Sequence, residues 1–104
     1  MTERKLVEVL TDVCEEAKKD KNGFVWLTHI GHWRAPEIVA VFQTESQRQE
    51  AIRSQWDMGF INSVNIALDT IKSKASAIRF DSEENCKRLS GGNWERYLQT
   101  KQLQ

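Results

Sequence analysis

The sequence predicts an α+β domain in which a small, mainly antiparallel three-stranded sheet packs with helices in the order α-β-β-α-α-β-α, spanning residues 1 to 104. Three observations carry that expectation. Apolar residues recur at steps of three and four near the start of the chain. Two short apolar runs follow one another across a brief break. Helix-capping signatures stand where helical spacing resumes.

Residues 3 to 19 set Leu6, Val9 or Leu10, Val13, Cys14 and Ala17 on one stripe, with charged residues mostly between them, which is the pattern of an amphipathic helix. Thr2 can cap its start, and Asn22-Gly23 supplies residues that accept positive φ where it must stop. In the next run, Phe24, Trp26 and Ile30 project one way and Val25 and Leu27 the other. Both series are apolar, so the run predicts a strand covered on both faces. Residues 38 to 42, IVAVF, form a second strand after a short connection, which implies a hairpin. Thr44-x-x-Gln47 has the form of a capping box. The helix it opens should turn Ala51, Ile52 and Trp56 inward and kink or end near Met58-Gly59, before helical spacing resumes through Phe60 or Ile61, Val64, Ala67 or Leu68, and Ile71. Residues 77 to 80 are the third strand. Asp81 with Glu84 should cap a helix to about Leu89, Gly91-Gly92 should end it, and Asn93 should cap a last helix bearing Trp94, Tyr97 and Leu98.

Fifteen basic residues balance fifteen acidic ones, and neither sign gathers at an end. A nucleic-acid footprint is normally far more basic. Cys14 and Cys86 match no metal or redox spacing and read as buried free thiols, Cys14 on the inward stripe of its helix and Cys86 at a position that can be semi-exposed. The charged start and the absence of a long apolar run point to a cytoplasmic protein with no membrane segment.

Both histidines, His29 and His32, lie in one tryptophan-rich stretch. On a strand, residues an odd number apart face opposite ways, so the two rings do not share a metal ion, and no metal or cofactor is expected. The acidic run from Asp81 to Glu84 fits the positive end of a helix dipole better than a catalytic carboxylate pair. Gly91-Gly92-Asn93 follows a helix, where a phosphate loop would follow a strand. Residues 46 to 74 invite comparison with a helix-turn-helix, but the second helix offers Asn62, Ser63, Asn65 and Asp69, with Lys72 and Lys74 only beyond its end. The candidate binding residues are His32, Trp33 and Arg34, with Trp94. Trp33 stands out because a large ring at a hairpin tip can stay partly exposed and anchor a partner.

WLTH at residues 26 to 29, FDSEENC at 80 to 86 and GGNWERYL at 91 to 98 resemble a group of small bacterial proteins with no established activity, some of them labelled Fis-type transcriptional regulators. The resemblance runs from the first helix to the last and implies a stand-alone bacterial protein. Recognition helices of the Fis type resemble MGxxRxTLRxKL, whereas this chain has MGFINSVNIALDTI, without the basic residues. The expected function is a non-enzymatic protein-interaction module acting as a homodimer. A three-stranded sheet that is apolar on both faces needs cover, and a second copy can supply it. The alternatives are a DNA-binding regulator acting through residues 46 to 74, and a small-molecule binder with a pocket near Trp33 and Trp94.

Overall fold

The computed structural model describes residues 3–102. Its elements are α1 (Glu3–Lys18), β1 (Phe24–Ile30), β2 (Glu37–Phe42), α2 (Glu45–Arg53), α3 (Trp56–Asp69), β3 (Ala77–Ser82), α4 (Glu83–Ser90) and α5 (Trp94–Gln102). The α+β class and the element order are those expected, with the signals at residues 82 to 93 resolving into two helices after β3. Thr2, expected to cap α1, lies outside the described residues.

The strands are ordered β1-β2-β3, and the sheet is mixed. β1 runs antiparallel to β2, pairing Leu27 with Ala40 and His29 with Ile38, with a register shift between Phe24 and Trp26. β3 runs parallel to β2, pairing Ile38 with Ile78 and Ala40 with Phe80. Connection length accounts for both directions. The short turn at residues 31 to 36 can only reverse the chain, whereas residues 43 to 76 carry two helices and let the chain return to the starting end.

The strand buried on both faces is β2, not β1: residues Ile38, Val39, Ala40, Val41 and Phe42 are at most 1% exposed. Among the described residues β1 has a neighbour on one side only, so beyond Phe24 its side chains are half-buried despite their composition. On one face, Phe24, Ile38, Ala40 and Phe42 meet Leu6, Leu10, Val13 and Ala17 of α1, Ala51 of α2, and Phe60, Val64 and Leu68 of α3. Phe24, Phe42, Trp56, Phe60 and Phe80 form an aromatic cluster with neighbouring rings 5.2 to 5.9 Å apart. Each such pair adds about 0.5–1.5 kcal/mol beyond the area it buries. On the other face Trp94 packs edge-on against Trp26 at 5.0 Å, and Tyr97 reaches Asp81. The helices of one chain therefore lie over both faces.

Several local expectations shift in register. The capping box at Thr44 forms, its side chain accepting from Gln47 N while Gln47 reaches back to Thr44 N. Gly23 takes φ +97°, which a side chain would strain, and a Cβ there would also displace the Gln47 amide from the capping box. The break between α2 and α3 falls at Gln55, in the left-handed region at φ 67°, and Gly59 sits inside α3. Trp56 decides this, because its ring belongs to the aromatic cluster and its indole N–H donates to Asp20 at 2.6 Å, so the chain must turn just before it. α2 then ends too early to bury Ile52, which is 40% exposed. Ser82 rather than Asp81 caps α4, accepting from Asn85 N at 3.1 Å. Gly91 ends α4 in the left-handed conformation at φ 61°. Asn93 caps α5 through a bond from Arg96 N at 3.0 Å. Among the described residues, no helix is long and apolar enough to cross a membrane.

Candidate functional site

The turn after β1 brings His32, Trp33 and Arg34 together. The Arg34 guanidinium lies 5.2 Å from the centre of the Trp33 ring, the His32 ring lies 5.7 Å from it, and His32 Nδ1 accepts from Arg34 N at 3.2 Å. Trp33 is half-buried against the core, and its carbonyl accepts from Ser73 Oγ at 2.5 Å, which ties the turn to the segment before β3. Lys74 N donates to the Arg34 carbonyl at 3.1 Å. Trp94 is not part of this cluster. It packs on Trp26, which pairs with Val41 near the far end of the sheet, whereas the Trp33 turn adjoins the Ile30–Glu37 pair. His29 remains on β1 with Nε2 3.1 Å from Glu3 Oε1, so the two imidazoles are engaged separately.

A polar junction forms where the parallel strands β2 and β3 end. α2 and α4 begin there side by side, and Glu84 of α4 accepts from Glu45 N at 2.8 Å. Glu45 in turn accepts from Asn85 Nδ2 at 2.7 Å and Ser82 Oγ at 3.3 Å, and is paired with Arg48. The Arg48 hydrogen bonds hold the Glu45 carboxyl below its ordinary range, against the opposing effect of burial. Helix N-termini at the carboxyl ends of parallel strands commonly receive anionic ligands. Here the chain's own carboxylates take that place, so the junction is a lock between two helices.

The remaining acids of the run are equally engaged. Asp81, 3% exposed, accepts from Tyr97 Oη at 2.9 Å and from Ser82 N at 2.9 Å. Glu83 accepts from both Trp26 Nε1, at 2.5 Å, and Trp94 Nε1, at 3.1 Å, and so fastens α5 to the sheet. Helix-dipole reasoning does not cover the bonds from Trp26, Trp94 and Tyr97, because these partners lie 11 to 57 residues away in the chain. Cys86 is fully buried rather than half-exposed, and burial, reinforced by Glu83 and Asp81, pushes its thiol up, which is the wrong direction for a nucleophile.

Two grooves flank α3. One, of about 680 Å³, runs between α1 and α3 over Val9, Val13, Phe60 and Ala67, with Asp12, Glu16 and Asp20 along the α1 side. The other, of about 670 Å³, lies between α3 and β3 and is lined by Ile61, Ile66, Ala75, Ala77 and Ile78, with Asp69 and Lys74 beside them. Ile66 there is 60% exposed. α3 itself carries no Lys or Arg. The nearby Arg48 and Arg53 are paired with Glu45 and Glu50. No family model, curated protein or solved structure matches this chain.

Proposed function

We propose that the protein is a non-enzymatic interaction module that works as a homodimer, with two copies of β3 pairing antiparallel about a two-fold axis. The supporting observation is the state of that edge. β3 pairs with β2 on one side only among the described residues. Ser76 N donates to Pro36 O and Glu84 N to Gln43 O, so by strand alternation the even-numbered residues between them turn their backbone to β2, and Ala77 and Arg79 turn theirs outward. Edge strands are usually guarded by outward charge, proline or a bulge. Of the two charges on β3, Arg79 is drawn into an ion pair with Glu37 of β2 and Asp81 is buried beside Tyr97, while exposed Ile66 stands beside the strand. Because helices of the same chain lie over both sheet faces, the strand edge is the better-supported interface.

Light scattering coupled to gel filtration tests this. A dimer at micromolar concentration is expected, and Ile66→Asp, at an exposed position, should give a folded monomer. A strict monomer at about 100 μM, where interfaces of ordinary size and micromolar affinity are filled, would refute it. Two free cysteines, one half-buried and one buried, suit the reducing cytoplasm in which we place the protein. DNA binding through residues 46 to 74 has less support, because the phosphate-neutralising charge such binding needs is missing from α3.

A further inference from the structure

We infer that the groove between α1 and α3 is a docking site for a basic amphipathic helix of another protein. It is separate from the β3 edge and does not depend on the dimer. Its floor is apolar, and its volume of about 680 Å³ can take a row of several aliphatic side chains. The α3 wall from Trp56 to Ala67 is about 16 Å long at 1.5 Å per residue, the length of three helical turns.

Two features select the occupant. Among the described residues every charged side chain lining the groove is acidic: Asp12, Glu16 and Asp20 follow one another at steps of four along one rim, a spacing at which a facing helix can present lysines or arginines, although Glu16 is already paired with exposed Lys19 and Asp20 also accepts from Trp56 Nε1. Anionic lipid surfaces and nucleic acids are repelled by the same row. The second feature is Gly59, which lines the groove in an ordinary helical conformation with nothing within 4 Å of where a Cβ would lie. A glycine inside a helix lowers stability relative to alanine, and neither its backbone angles nor its neighbours within this chain require one. Its missing side chain widens the groove where an incoming helix would seat an apolar residue.

The test is a titration of the isotope-labelled full chain with an 18-residue peptide of leucine and lysine, its leucines at i, i+3, i+4 and i+7, followed by amide chemical shifts. A peptide of the same composition in scrambled order is the control. Binding should shift resonances on the facing sides of α1 and α3 and weaken about tenfold or more between 50 and 500 mM salt, since exposed charges are screened over that range. Gly59→Leu places a good helix former in open space, so the variant should fold, and it should weaken binding at least tenfold. Asp12→Lys with Glu16→Lys, both exposed, should weaken it similarly while leaving the circular dichroism unchanged. Equal binding by the scrambled peptide, undiminished binding to Gly59→Leu, shifts centred on β3 with a rise in mass, or no shift at millimolar peptide in low salt would each overturn the inference. None of those results except the mass change bears on the homodimer.

Discussion

Asp81 was expected to cap a helix and instead remains in the strand, one residue before the cap that forms. That single step leaves a carboxylate 3% exposed in the interior. A buried charge is tolerated only with hydrogen-bond donors, and here the Tyr97 hydroxyl is one of them, at 2.9 Å. Capping chemistry is legible locally, because Ser and Asp next to each other both qualify. Which of them is used depends on Tyr97, 16 residues away, and no local signal encodes that. Cys86 shows the same limit: its helix was legible, but not the contacts that close over it. Tyr97→Phe removes only the hydroxyl and leaves the ring against Trp94, whose centre is 5.4 Å away. Losing a hydrogen bond to a buried charged group typically costs about 1.5–3 kcal/mol, so the urea midpoint should fall at unchanged slope. An unchanged midpoint would mean that Asp81 draws no net stability from the hydroxyl.

Among the elements, those whose ends are chemically marked were readable. Thr44 with Gln47 opens α2, Gly91 closes α4 and Asn93 opens α5, each as its residue type demands. The break between α2 and α3 carries no such mark. Gln55 is an ordinary residue in the left-handed region, and the aromatic cluster that seats Trp56 holds it there. The junction of α2 with α4 yields a prediction about pH. Glu45 titrates below its ordinary value of 4.5 in the folded protein because Arg48 binds its charged form. A depressed carboxyl contributes stability that is fully present above the unfolded-state value and is lost as pH falls through the folded one. Stability should therefore decline from just above pH 4.5 downward, and Glu45→Gln should flatten part of that decline while lowering stability near neutrality. Denaturation midpoints of both proteins between pH 2.5 and 7 measure this, and parallel curves would show that Glu45 is not responsible.

At the scale of the molecule, the hydrophobic pattern revealed three strands and the helices between them but not which strand lies in the middle. β1 and β2 both carry apolar residues in the odd and the even series, and only pairing on two sides separates them. Of the four binding residues chosen from sequence, three meet at one turn, because they are adjacent in the chain, while Trp94 is carried to the other end of the sheet by α5. The two grooves on either side of α3 were not legible, since each is made by elements far apart in sequence. Central placement of β2 and edge placement of β3 predict a contrast in amide exchange. Val39 and Val41 are closed on both sides and should exchange only through global opening at any protein concentration. Ala77 and Arg79, if the dimer forms as proposed, turn their N–H groups toward the second copy, so their protection should grow as concentration rises and dimer replaces monomer by mass action. In Ile66→Asp the same two amides should exchange quickly throughout, while Val39 stays protected. Exchange at Ala77 and Arg79 that is independent of concentration in the wild-type chain would remove the β3 edge from the interface, even if light scattering still found a dimer.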